Sequence, residues 1–230
     1  MSMNGEEARE LVERFAGESP GAFELAVLVS LAVRTEQELL RAIRLRLARH
    51  LSAADEAGVW FCPLVASRGE DGITFHREVQ RNLRERLIND SRCEGAWKIT
   101  YGCHESISPA LRLEEEAAWI SLTDTGNAGR KLDELFRPAL VSFFMHKQAG
   151  VASWAARALP GLPEAASQSV ATWLLAHAAN RSRPNSVRLS GSPPLDYFDY
   201  DLEPLPDLPQ GRSLVAGRSG ATLELVGAIN

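Results

Sequence analysis

Residues 35–65 read TEQELLRAIRLRLARHLSAADEAGVWFCPLV, and the remainder of the chain organises around them. Thr35 followed by Glu38 has the form of a capping box, the hydroxyl accepting an early helix amide while the carboxylate returns to the cap. Leu39, Leu40, Ile43 and Leu47 then recur at helical spacing, leaving Arg41, Arg44 and Arg49 for the opposite face. A short turn of helix leads to the apolar run Val59, Trp60, Phe61 and Cys62, which Pro63 stops. The stretch predicts the core of a helical domain.

Toward the N-terminus, Asn4 with Glu7 forms another box, and Leu11, Val12 and Phe15 give that helix one apolar face. Ser19-Pro20 is a start signal, with proline at the first helical position. The helix it opens is expected to run to Val33. Its apolar residues lie on nearly every side, which marks a helix at the centre of the fold.

Beyond Pro63, SRGEDG at 67–72 is a turn by composition. Ile73, Thr74 and Phe75 read as a short strand pairing with residues 59–62, a hairpin set among helices in a winged-helix-like order. Phe75, Val79, Leu83 and Leu87 step by four, predicting a helix with Arg77, Arg81, Arg84 and Arg86 on its exposed side. Residues 91–108 read either as a strand, from the alternation of Trp97, Ile99, Tyr101 and Cys103, or as a helix capped by Ser91 with Glu94. Ser108-Pro109 opens a further helix, on which Glu115 and Glu116 are expected to face water. Pro138 falls inside an apolar pattern from Leu132 to Phe144 and predicts a kink or two helices end to end. A last helix is expected at 164–179.

Half of the twelve prolines lie past residue 180, a density that suits extended chain and strands. The end reads as a hairpin of residues 213–216 with 221–226. The fold class expected is therefore mainly α, a multi-helix bundle with a small β-hairpin insertion near 59–75 and a Pro-rich, β-rich C-terminal segment. The domains expected are a helical one at 1–180 and an extended segment at 181–230. Two strands make no stable sheet alone, so that segment is read as part of a truncated or partner-completed β-domain, and the chain as a fragment of a longer polypeptide.

Composition narrows the function. Apolar residues at 45% and charged residues at 24% are ordinary globular values. The net charge of −5 argues against a general polyanion binder. No apolar run approaches the about 18 residues of a membrane span, and the first residues are acidic where a signal peptide is basic. The three cysteines, Cys62, Cys93 and Cys103, are too few for a disulfide scaffold. A cytoplasmic protein with reduced thiols is the expectation.

Cys103-His104 is the pair that suggests nucleophilic chemistry. Adjacent side chains point apart, so the imidazole is badly placed as the base for that thiol. As zinc ligands, Cys93, Cys103 and His104 lack paired Cys-x-x-Cys spacing. Buried thiols beside a partly exposed imidazole are the ordinary alternative. No phosphate-cradling loop, HExxH, GxSxG or calcium-loop pattern occurs, and no cofactor or metal is expected. Arg41 and Arg44, with Arg77, Arg81 and Arg84, flank the expected wing and make a nucleic-acid reader conceivable. Glu78 and Glu85 share the second helix and neutralise part of that charge. Asp196, Tyr197, Phe198, Asp199, Tyr200 and Asp201 mix acids with aromatics and no cation, a composition suited to docking on a basic groove of a partner or of the same chain.

Three stretches carry a resemblance. RLRLARHLSAADEAGVWFCPLVASRG at 44–69, LRLEEEAAWISL at 111–122, and the late VRLSGSPPL with GATLELVG resemble a helical module of large actinobacterial and myxobacterial conflict-type proteins. In those it accompanies Toll/interleukin-receptor-like, protease-like or formylglycine-generating-enzyme-like domains. The resemblance implies a regulatory or assembly segment joined to an effector or sensor, and it carries no catalytic residues over.

The leading reading is thus a non-catalytic protein–protein interaction module of a larger bacterial assembly, of the anti-phage defence kind. Its partner is a protein or a further domain of the same polypeptide, and no membrane is involved. A cysteine-dependent hydrolase using Cys103 and a winged-helix-like nucleic-acid binder are the alternatives.

Overall fold

The computed structural model describes residues 3–146, 149–194, 213–219 and 222–228. They fall into two compact units, Met1–Thr123 and Asp124–Asn230. The protein is mainly helical, with ten α-helices among the described residues. No described helix is long and apolar enough to cross a membrane.

The first unit opens with α1 (Gly5–Glu18), started by the expected box: Asn4 Oδ1 accepts from the Glu6 and Glu7 amides, and Glu7 accepts from the Asn4 amide. Helix α2 (Pro20–Val29) has Pro20 in its first turn, and Leu25, Ala26, Leu28 and Val29 have no exposed surface. It is the central helix that its all-round apolarity predicts. It ends at Val29 rather than Val33, because residues 30–33 are held by side chains instead of by further helix. Gln80 donates to the Ser30 and Ala32 carbonyls, Arg84 donates to those of Ser30 and Leu31, and the Val33 amide donates to Glu115. The orphan carbonyls of a helix end are satisfied from outside the helix.

Helix α3 (Gln37–Leu47) buries Leu39, Leu40 and Ile43. Its cap differs from the expected one. Thr35 makes a backbone bridge with Ile73, at 2.9 and 3.0 Å, and its buried hydroxyl makes no hydrogen bond, so Glu36 becomes the cap residue. Helix α4 (Ala53–Phe61) carries the capping box that the sequence reading passed over, Ser52 with Asp55. Val59, Trp60 and Phe61 are therefore helical, and the strand expected at 59–62 lies further on. Strand β1 (Val65–Gly69) pairs antiparallel with β2 (Gly72–Phe75), with an irregularity between Val65 and Ser67. A hairpin does sit near 59–75, but Pro63 separates it from α4 instead of ending a strand. Gly72 turns the chain at φ +141°, where any side chain is strained.

Helix α5 (Arg77–Leu87) buries Val79, Leu83 and Leu87 as the step of four predicts, and Arg84 with them. Residues 93–103 form a helix, α6 (Cys93–Cys103), which settles the open strand-or-helix choice; Arg92, not Ser91, precedes it as the cap. Helix α7 (Pro109–Thr123) starts at the expected proline. It is joined to α6 through a Trp97–Trp119 stack with centroids 5.1 Å apart and planes 6° from parallel.

The second unit is built from α8 (Ala128–His146), α9 (Ala149–Ala158) and α10 (Val170–Ser182). Helix α8 runs through Pro138 as one element. Leu132, Phe136, Ala155, Ala158, Leu175 and Ala179 form its interior, with the Trp154 ring edge-on to Phe136 at 5.8 Å. The single helix expected at 164–179 is divided: residues 164–168 form a 3-10 turn, and α10 starts afresh from a cap at Ser169. Strands β3 (Ser213–Ser219) and β4 (Thr222–Ala228) pair antiparallel, longer than the hairpin expected. Val187 and Leu189 belong to no strand.

Candidate functional site

Two features of the first unit are candidates for a functional site: a buried ionic cluster, and the outer surface of α3, α4 and the hairpin.

The cluster forms where the C-terminus of α6 meets α7 and the start of α3. His104 follows α6 and is only 2% exposed. Its Nδ1 lies 2.9 and 2.8 Å from the two carboxylate oxygens of Glu115, and its Nε2 lies 2.9 Å from Glu36 Oε2. Glu115 is equally buried and also accepts from the Val33 amide at 2.8 Å. Arg34 donates to Glu36 and approaches Asp71 of the hairpin turn. Burial alone disfavours the imidazolium, but the hydrogen bonds it donates to Glu115 and Glu36 outweigh that and lift His104 from 6.5 to about 9. Burial likewise opposes ionisation of Glu36, and hydrogen bonds from His104 and Arg34 still hold its carboxyl below the usual range. Arg84, 4% exposed, adds a cation nearby. Burial lowers it to about 10, and the charges of Glu114 and Glu115 resist that fall.

This reverses the expected placement of Cys103 and His104. The imidazole is enclosed with both nitrogens engaged, and Cys103 at the end of α6 is the exposed partner. Desolvation of the thiol pushes its pKa up, Glu36 and Glu38 add to the rise, and Arg46 opposes it. A nucleophilic cysteine needs the opposite environment. Glu115, expected at the surface, lies at the centre of the cluster. Among the described residues no group of histidine, cysteine or acidic side chains is arranged to hold a metal ion.

The arginines divide by helix. On α5, Arg84 is internal, Arg81 pairs with Glu78 at 2.7 Å, and Arg86 pairs with Glu13 of α1. Arg77 is the exposed member of that set. On α3, Arg44 is joined to Glu56 of α4 and also donates to the Leu51 carbonyl, while Arg41 and Arg46, with Arg49 just past the helix end, are exposed.

The order of elements is itself informative. Thr35 bridges β2, α3 follows, residues 48–52 turn the chain into α4, and β1 and β2 complete the sheet in the order Thr35–β2–β1. The order of elements, two helices joined by a turn and followed by a hairpin, is that of a helix-turn-helix with a two-stranded wing, with α4 as the second helix. Its exposed residues are Ala53, Ala54, Ala57 and Phe61. Ala53, Ala57 and Phe61 are spaced by four and share one face. Phe61 is 69% exposed, with the Arg68 guanidinium 4.8 Å from its ring centroid. Arg68 Nε donates to the Trp60 carbonyl at 2.8 Å, which ties wing to helix. The side chains at the wing tip, Glu70 and Asp71, are acidic.

Asp196, Tyr197, Phe198, Asp199, Tyr200 and Asp201 lie outside the described residues. Phe61 was a functional candidate that sequence reasoning missed, since an aromatic in an apolar run reads as core. The available signal was the Ser52–Asp55 box, which makes the run a helix and turns Phe61 away from Val59. No protein-family model matches the chain, and neither a curated protein nor a solved structure is significantly similar to it.

Proposed function

We propose that the chain is a non-catalytic protein–protein interaction module that uses its helix-turn-helix and wing to dock a protein partner. The observation that carries this reading is the outward face of α4, where Ala53, Ala57 and the exposed Phe61 occupy the positions from which a nucleic-acid reader presents its donors. Arg, Lys, Asn and Gln are absent from α4, and its two charged residues are acids already engaged with Ser52 and Arg44. An exposed aromatic ring covered on one side by an arginine suits the apolar centre of a protein interface. The resemblance to conflict-type proteins extends the proposal: the module regulates or assembles an effector or sensor in a bacterial, anti-phage setting. The raised Cys103 thiol and the enclosed His104 weigh against the hydrolase alternative.

The test is affinity capture by the wild-type chain and by a Phe61→Asp, Ala57→Arg variant of unchanged far-ultraviolet circular dichroism. Proteins held by the wild type should be lost from the variant. Identical captured sets, or a duplex DNA gel shift at low salt that the variant abolishes, would overturn the reading.

A further inference from the structure

The outer face of α3 has a charge pattern that the proposed α4 contact does not use. Of the arginines at 41, 44, 46 and 49, only Arg44 has a carboxylate partner among the described residues. Arg49 Nε donates to the Leu45 carbonyl at 3.0 Å, which holds its guanidinium against the last turn of α3. Arg41 lies one turn before Leu45 on the same face, and Arg46 is its exposed neighbour. Leu45 itself is 50% exposed. A lone exposed leucine is unremarkable, but here it sits among three cations that lack an internal counter-ion. Glu38, exposed in the first turn, is the one acid within α3 itself.

We infer that this face of α3 is a docking surface for an acidic protein segment that sets an apolar side chain on Leu45 and carboxylates on Arg41, Arg46 and Arg49. Charge complementarity selects an anionic occupant. Leu45 then selects between anions, because a phosphate backbone offers nothing to an apolar side chain while an acidic amphipathic segment does. The neighbouring surface agrees: α4 presents no cation, the wing tip is acidic, and the net charge of −5 gives no long-range pull on nucleic acid.

The probe is a short, fluorescein-labelled amphipathic helix of Glu, Ala and Leu, titrated with the full chain and followed by fluorescence anisotropy at low and high salt. Binding should weaken with salt. Arg41→Gln with Arg46→Gln, which leaves the helix-end contact of Arg49 intact, should weaken it about tenfold. Leu45→Ala should weaken it about threefold, and Phe61→Ala should leave it unchanged. Absence of salt-dependent binding, insensitivity to Leu45→Ala, or tighter binding of a DNA duplex through the same arginines would overturn the inference. Loss of binding in Phe61→Ala would move the peptide to α4 and overturn the assignment to α3.

Discussion

Glu115 meets His104 with both carboxylate oxygens, at 2.9 and 2.8 Å from one ring nitrogen, in a part of the first unit where each residue is 2% exposed. The pair fixes α7 to the end of α6, and Glu36 on the other nitrogen adds the start of α3. His104→Ala would leave two carboxylates without their shared cation, so it should cost about 3–5 kcal/mol in urea unfolding.

The same cluster predicts the pH dependence of stability. His104 is raised from 6.5 to about 9 in the fold, so its contribution is full below 6.5 and is lost as pH rises through about 9. Glu36 is lowered from 4.5, so its contribution is present above 4.5 and is lost as pH falls. The urea midpoint should therefore be highest between these limits. His104→Gln should flatten the alkaline limb, and an unaltered limb would show that other groups control it.

Arg84 closes the end of α2 by donating to Ser30 and Leu31 at 2.9 and 3.2 Å. Arg84→Met keeps the bulk but takes from the Leu31 carbonyl its guanidinium donor, leaves the Ser30 carbonyl to Gln80, and removes one positive charge from beside Glu114 and Glu115. A loss of about 3–5 kcal/mol is expected. Hydrogen exchange at residues 30–33 should rise in Arg84→Lys, which keeps the charge and lacks the planar fork.

Helices α2 and α4 pack close enough that a Cβ on Gly58 would stand 2.7 Å from the Ala22 Cβ. Gly58→Ala should lower stability by about 1–3 kcal/mol, despite alanine's better helix propensity. Adding Ala22→Gly should return part of the loss, a coupling that a double-mutant cycle of thermal midpoints measures.

In the second unit, Asp133 Oδ1 accepts from the Ser169 hydroxyl and the Ala171 amide, both at 2.8 Å, while Ser169 Oγ caps the Thr172 amide. Asp133→Ala should destabilise the start of α10 by about 1–2 kcal/mol, seen as faster hydrogen exchange at Ala171 and Thr172.

Local signals were legible and long-range ones were not. Asn4 with Glu7, Ser19-Pro20 and the apolar girth of α2 each act within one helix, and each appears where the residues place it. Thr35-x-x-Glu38 and Ser52-x-x-Asp55 have the same form, yet only the second caps a helix. The difference lies 38 positions away, in the backbone of Ile73, which binds Thr35 into the sheet. The ionic cluster was equally hidden, because Glu36, Arg84, His104 and Glu115 come from four separate elements. Gln80 and Arg84, four apart beside the apolar stripe of α5, were the available hint that a polar row also faces inward.

The Glu36–His104–Glu115 cluster also constrains how this sequence can drift. Losing any one member strands the others, whereas replacing all three by apolar residues of similar size removes their mutual charges and leaves the Val33 amide and Arg34 as the groups that need new acceptors. Relatives of this chain should keep the three together or exchange them together. Intermediates with a single change should be rare among them, most of all at His104 and Glu115, the two members enclosed within the first unit.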